Sequence, residues 1–152
     1  KTKYWYNDFL KIKLKKTPEN NAQILNKVMQ KVIAKVENPV EKIKLNNEIS
    51  DRIDKNEVIT ILDLKKISDK YIKDETFTDI TTAVASKENI TLDEVDIIET
   101  DIFKKLTKNT RKKLNIKNLL DLTLKSENHV IDDITTQELN NEVVISIKII
   151  NK

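Results

Sequence analysis

Apolar residues recur at helical spacing in the segment that follows Thr17. Thr17 is a residue type that caps helices well, and Pro18 after it suits the first helical position. Apolar side chains then repeat three and four residues apart until Asn38-Pro39, where the pattern stops. This spacing predicts an amphipathic helix from Thr17-Pro18-Glu19 to Asn38-Pro39, with an apolar face of Ile24, Leu25, Val28, Met29, Val32, Ile33 and Val36.

The pattern is less regular between residues 40 and 124. Residues 40–45 partly alternate between apolar and polar side chains, which indicates a strand, whereas residues 47–53 are consistent with a short helix. Further short helices are predicted around Phe77, Ile80 and Val84 and from Leu114 to Leu124.

Two stretches in the same region begin with residues that resemble helix caps. Thr60-x-x-Asp63 and Thr91-x-x-Glu94 have the spacing at which a hydroxyl and a carboxylate satisfy the first amides of a helix. Apolar residues follow each pair on one helical face: Leu64, Ile67 and Tyr71 after the first, and Val95, Ile98, Ile102 and Leu106 after the second. Helices are therefore predicted over roughly 58–72 and 92–107.

The two ends of the chain alternate between apolar and polar residues, as strands do. Ile145, Ile147 and Ile149 alternate after Asn140-Asn141, and Leu10, Ile12 and Leu14 alternate among lysines near the N-terminus. We expect these two strands to pair. The predicted fold is thus a helix-rich α+β domain of several amphipathic helices with a small terminal β-sheet, and the alternative is an all-α helical bundle. Residues 1–16 form a basic, aromatic N-terminal segment, and residues 17–152 form a single globular domain.

The composition argues against catalysis. The 152 residues include no glycine, no cysteine and one histidine. Phosphate-binding loops need glycine for close backbone approach, and zinc–thiolate sites need cysteine. We therefore expect a protein that is not an enzyme and has no catalytic residues, no cofactor and no metal site. His129 lies near Glu127 and Asp132-Asp133, which would form either a weak ion site or, as we favour, a polar loop.

One basic cluster is a candidate binding surface. It consists of Lys104, Lys105, Lys108, Arg111, Lys112, Lys113 and Lys117. Such a cluster suits phosphate backbones, anionic lipid or an acidic protein surface, although a solvated surface is the favoured interpretation. Nucleic acid is disfavoured because the chain has only two arginines, Arg52 and Arg111, and a formal net charge of only +3.

The N-terminal segment has the character of a membrane flank. Residues 1–16 contain six lysines and one acid, and Tyr4-Trp5-Tyr6 adds the aromatic residues that favour a lipid–water interface. The chain begins at Lys1 without a methionine, so we expect an anchor or signal segment upstream. In the alternative interpretation, the domain is simply trimmed and Trp5 packs on its core.

Lysine, isoleucine and asparagine dominate the chain, as in proteins encoded by A/T-rich genomes. Together with the missing cysteine and the aromatic-lysine opening, this composition resembles that of the external domains of mollicute surface proteins, the immunodominant membrane proteins of phytoplasmas. The resemblance implies an upstream membrane anchor, a location on the external face of the cell membrane, and binding to host proteins, with host actin as the suggested partner. The alternatives are a secreted effector and an intracellular nucleic-acid-binding or regulatory domain.

Overall fold

The computed structural model describes residues 16–95, 97–108 and 113–152. Within those ranges the chain forms five α-helices and three two-stranded antiparallel sheets, so it is a helix-rich α+β domain, as the sequence predicts. In chain order the elements are α1 (Pro18–Lys35), α2 (Pro39–Lys55), β1 (Val58–Ile59), α3 (Ile61–Ser68), α4 (Asp74–Glu88), β2 (Ile98–Glu99), α5 (Thr100–Thr107), β3 (Lys113–Ile116), β4 (Leu120–Thr123), β5 (His129–Leu139) and β6 (Glu142–Asn151), with a 3-10 turn at Leu92–Glu94.

Helix α1 confirms the first prediction. The Thr17 hydroxyl accepts a hydrogen bond from the Asn20 amide at 3.1 Å, and Pro18 occupies the first helical position. Val36 adopts an extended conformation and ends the helix. The apolar stripe is buried as expected, since Val28, Met29 and Val32 are fully inaccessible to solvent.

The predicted strand at residues 40–45 is wrong, because the whole of Pro39–Lys55 is helical. The Asn38 side chain accepts hydrogen bonds from the amides of Val40 and Glu41, which starts the helix at Pro39. Leu45 and Ile43 alternate in sequence because they lie on different faces of α2 and enter different hydrophobic clusters. The apparent alternation therefore reflects a helix with two buried sides.

The two capping pairs have different outcomes. Thr60 and Asp63 form the predicted capping box, although α3 ends at Ser68 and the preceding Val58–Ile59 is a strand. The helix predicted over 92–107 is interrupted, because among the described residues of that range only Thr100–Thr107 is α-helical. Ile98 instead pairs with Ile59 in the two-stranded β1–β2 sheet, where both side chains are buried. This long-range pairing replaces the local helical preference.

Helix α4 confirms the helix predicted around Phe77, and β6 confirms the predicted C-terminal strand. The helix predicted from Leu114 to Leu124 is wrong, since β3 and β4 form a hairpin there. Lys117 and Asn118 take left-handed φ angles of 47° and 57° in its turn, which ends any helix. The predicted strand at Leu10, Ile12 and Leu14 lies outside the described residues, and β6 pairs with β5.

The helices and hairpins bury apolar side chains in two clusters. The first core joins the helices and the β1–β2 sheet, and includes Leu25, Met29, Ile49, Leu64 and Phe103. The second core joins α2 to the two hairpins through Ile43, Leu114, Ile116, Ile131 and Ile134. Helix α2 belongs to both cores, and a cleft opens beside its second face.

Candidate ligand-binding cleft

The structure divides the predicted basic cluster. Lys104, Lys105 and Lys108 lie at the end of α5 and line a cleft. Lys113 at the start of β3 and Lys117 in the β3–β4 turn are exposed and lie outside its lining. Arg111 and Lys112 lie outside the described residues. Three of the seven predicted binding residues therefore share one concave site.

The cleft has a volume of about 570 Å³ and is enclosed by α2, the end of α5, the two hairpins and the C-terminal residue. Its apolar residues are Ile43, Leu114, Leu124, Val130 and Ile131. The uncharged polar residues are Asn46, Asn47, Ser50, Ser126, Asn128 and His129, and the charged ones are Asp54, Lys104, Lys105, Lys108, Glu127 and Lys152. This mixture of an apolar surface with a few convergent polar groups is typical of ligand sites.

The four lysines of the cleft differ in their partners. Asp54 lies 3.9 Å from the Lys104 Nζ atom and 3.3 Å from that of Lys152, so one carboxylate offsets part of two positive charges. Lys105 and Lys108 are exposed, and neither forms an ion pair with a residue that the structure describes. Their ammonium groups are the charges available to an incoming anion.

A polar turn forms the opposite wall. The Ser126 hydroxyl lies 2.5 Å from His129 Nδ1 and also accepts the amide of Asn128 at 3.3 Å. The Ser126 hydroxyl either donates to Nδ1 or accepts from it, according to the imidazole tautomer. The amide of Lys152 binds the Asn128 carbonyl at 2.9 Å and holds the C-terminus against this turn. Ser126 thus acts as a turn-stabilising residue.

Helix α2 is fixed against the hairpins on the apolar side of the cleft. The Asn47 side-chain amide donates to the Ile131 carbonyl at 3.1 Å, and Ile43 packs with Ile131 in the second core. This contact spans 84 positions of sequence and joins the wall contributed by α2 to the wall contributed by β5. The cleft therefore depends on the second core for its shape.

Asp132, one of the acids near His129 in the sequence, has another partner. Asp132 lies 2.6 Å from Lys148 across the β5–β6 pair, and the contact raises the pKa of Lys148 through a hydrogen bond and the opposite charge. Within residues 16–95, 97–108 and 113–152, no group of three or more His, Asp or Glu side chains is arranged to hold a metal ion. The structure thus places Asp132 away from an ion site with His129.

The other displaced pKa values also belong to pairs outside the cleft. Burial raises the pKa of Tyr71 to about 12, helped by its 2.6 Å hydrogen bond to Glu48. Burial works to raise the pKa of Glu48, but hydrogen bonds from Lys70 and Tyr71 outweigh it and lower this pKa. Hydrogen bonds from Asn115 and then Lys113 lower the pKa of Asp121. Lys113 is therefore already bound to a carboxylate of its own hairpin, at 3.0 Å.

Sequence reasoning missed most of the cleft. Asn47, Ser126 and Lys152 have no shared motif and no regular spacing, and only folding brings them together. The basic cluster identified one wall, and the polar residues singled out around His129 identified part of the other, since Glu127 and His129 line the cleft.

Among the described helices, none has the length and apolar character needed to cross a membrane. Comparisons of the chain with protein-family models, with curated proteins and with solved structures found no match.

Proposed function

We propose that this chain is a non-enzymatic binding protein that takes an acidic segment of a partner protein into the cleft. The observation that carries the proposal is the position of Lys105 and Lys108, two exposed ammonium groups without a described ion-pair partner, beside a half-open and partly apolar cleft. Carboxylates would bind the lysines, and an adjacent aliphatic side chain would contact Leu114 and Leu124. Asparagine and serine side chains can bind the peptide backbone between them.

The chemistry of the cleft favours a protein partner over nucleic acid. No Phe, Tyr or Trp occurs among the described lining residues, so the His129 imidazole is the one ring there on which a base could stack. Arg52 is bound to Asp63 at 3.0 Å and to the Val58 carbonyl at 3.2 Å, away from the cleft. An apolar surface beside lysines suits a peptide that combines acidic and aliphatic residues.

The resemblance in composition suggests the biological setting of this binding. We place the chain on the external face of a cell membrane, anchored through a segment upstream of Lys1, with a host protein such as actin as its partner. These points rest on composition and on the N-terminal segment, whereas the acidic-segment chemistry rests on the cleft. The two parts of the proposal therefore need separate experiments.

The cleft is tested with the double variant Lys105→Gln/Lys108→Gln and a fluorescein-labelled peptide of alternating Glu and Leu. If both lysines contact carboxylates, binding measured by fluorescence anisotropy weakens between about twofold and about thirtyfold, as expected for two exposed ion pairs. The variant Lys31→Gln/Lys44→Gln is the matched control, because both lysines are exposed and lie outside the cleft lining. Equal binding by the two double variants would contradict the proposal.

A second probe separates the partner classes. An oligothymidylate of the same charge as the peptide should bind more weakly than the peptide at low salt, because it has no aliphatic side chain to contact Leu114 and Leu124. Tight oligonucleotide binding that weakens steeply with salt would identify a nucleic-acid-binding protein instead. Co-sedimentation with filamentous actin tests the suggested host partner, and a chain that stays in the supernatant would remove it.

A further inference from the structure

The β5–β6 hairpin exposes a large amount of apolar surface. Its exposed large apolar residues, with their exposed fractions, are Leu139 (57%), Val143 (46%), Val144 (42%), Ile147 (37%), Ile149 (49%) and Ile150 (39%). Within β6 only Ile145 is half-buried, and the remaining residues are exposed. Contiguous apolar patches of this kind mark interaction surfaces.

The exposed residues lie on both faces of β6. Ile147 and Ile149 pair with Ile134 and Ile131, so they share the face that α2 covers at the second core. Val144 and Ile150 pair with Gln137 and Val130 on the opposite face. Because strand side chains alternate, one helix can cover only one of these faces.

Strand β6 is also an edge strand among the described residues, since its ladder partner there is β5. Proteins commonly protect such edges with charged side chains, proline or a bulge on the edge strand. The register shift of this hairpin lies between Ile131 and Asp133, on β5. Lys148 is the one charged residue between Val143 and Asn151, and Asp132 neutralises it at 2.6 Å. The edge is therefore long, apolar and nearly uncharged.

We propose that β6 pairs antiparallel with β6 of a second copy of this chain, about a two-fold axis at Ile147, to form a four-stranded sheet. A two-fold axis perpendicular to the sheet keeps the helix-covered faces of both copies on the same side. Residues directly opposite each other point to the same face of the sheet, and side chains alternate between faces along β6. Two residues that pair must therefore both be odd-numbered or both be even-numbered, so the axis passes through a residue of β6 and not between two.

The sequence of β6 favours an axis at Ile147 over an axis at either neighbouring residue. With the axis at Ile147, Ile145 lies opposite Ile149, Val144 opposite Ile150, and Ser146 opposite Lys148. An axis at Lys148 would oppose two lysines, and like charges directly opposite each other are destabilising. An axis at Ser146 would oppose Lys148 to Val144 and Glu142 to Ile150.

This self-complementarity is the argument for a second copy as the occupant. In the Ile147 register apolar residues meet apolar residues at the centre of the interface, and the polar pair uses Ser146 and Lys148. The nearly neutral edge attracts neither an acidic nor a basic strand from a distance. An identical strand matches its length, its alternation and its lack of net charge.

The absence of cysteine from the sequence makes a direct test possible. In the full chain, Ile147→Cys places two thiols opposite each other at the axis, and mild oxidation should give a disulfide-linked dimer. Val143→Cys is the matched control, because it is also exposed and lies on the same face but is displaced along the strand from its symmetry mate. Cross-linking of Val143→Cys as readily as Ile147→Cys would overturn the proposed register.

The oligomeric state tests the interface itself. Light scattering during size-exclusion chromatography should give the wild-type chain twice the monomer mass of 17.7 kDa. Ile147→Lys should lose the dimer while keeping the wild-type circular dichroism spectrum, and Val144→Lys repeats the test on the opposite face. Leu119→Lys, which alters an exposed leucine in the β3–β4 turn, should remain dimeric.

Three results would overturn the proposal. The first is a wild-type chain that is monomeric at every concentration measured. The second is a dimer that survives both lysine variants. The third is a monomeric wild-type chain that dimerises only when Leu10, Ile12 and Leu14 are changed to serine, since the occupant of β6 would then be the chain's own N-terminal segment.

Discussion

The helical part of the molecule and its hairpin end use apolar residues differently. In the first core, Ala22, Val28, Met29 and Ile49 are fully inaccessible, whereas Val143 and Ile149 of β6 are about half exposed, at 46% and 49%. Helix α1 presents one apolar stripe and α2 presents two, and neighbouring elements of the chain cover them. A hairpin has two faces and a free edge, and α2 covers only one face. The exposed apolar surface that a partner could cover is therefore concentrated on the β5–β6 hairpin.

The largest expected effect sharpens this difference between the two cores. Phe103→Ala removes a fully buried ring from the first core and should lower the free energy of unfolding by about 3–5 kcal/mol. Chemical denaturation measures this loss. Because α1 packs extensively against α5, hydrogen exchange should accelerate throughout the helices. A loss below about 1 kcal/mol would contradict the close packing of Phe103 in the first core.

A matched change in the second core should act more locally. Ile116→Ala removes a fully buried side chain and should cost about 2–5 kcal/mol. Native-state hydrogen exchange should show early opening of the hairpins and of the cleft, while the amides of α1 stay protected. Equal acceleration in α1 would mean that the two cores unfold as one unit.

A smaller loss of stability is expected when the ion pair of the buried acid Glu88 in α4 is removed. The Lys27 ammonium lies 3.0 Å from Glu88, whose side chain is only 1% exposed, so Lys27→Met leaves that acid without this ion pair. We expect a loss of about 2 kcal/mol, below the range for a fully buried pair because the Lys27 side chain is 40% exposed. Thermal denaturation measures it. Adding Glu88→Gln should recover part of the stability, and a further loss would contradict this account.

The smallest expected effect concerns pH and the cap of α3. Burial works to raise the pKa of Asp63, but hydrogen bonds from the Thr60 hydroxyl and amide, and the Arg52 charge, outweigh it and lower the pKa. The folded carboxylate is therefore stabilising above the ordinary Asp pKa of about 3.9, and this stabilisation is lost as pH falls through the lower folded pKa.

Thr60→Ala removes the hydroxyl of this cap and should cost about 1 kcal/mol at neutral pH. The difference from the wild type should shrink in acid, where Asp63 is protonated in both proteins. Denaturation curves recorded at neutral pH and at pH below about 3 test this. A difference that is independent of pH would mean that Thr60 acts without Asp63.

Local signals in the sequence predicted the elements that are stabilised locally. The cap at Thr17, the stripe from Ile24 to Val36, and the Thr60–Asp63 box each describe contacts within a few residues, and the structure confirms them. The alternation after Asn140 likewise predicted strand β6. The turn before it begins at Asn140, a residue type that tolerates the left-handed φ of 55° found there.

Tertiary structure decided the rest, for reasons that sequence periodicity does not contain. Ile98 leaves its predicted helix and pairs with Ile59. The alternation of Ile43 and Leu45 arises because α2 packs into two cores. Strand β5 is recognisable only by its pairing with β6. The basic cluster shows the same division. Its composition follows from the sequence alone, but only the approach of α2, α5 and the hairpins determines that Lys104, Lys105 and Lys108 face a cleft while Lys113 binds Asp121. A contact between distant residues depends on the free energy of the whole fold, and no local window of sequence includes that term.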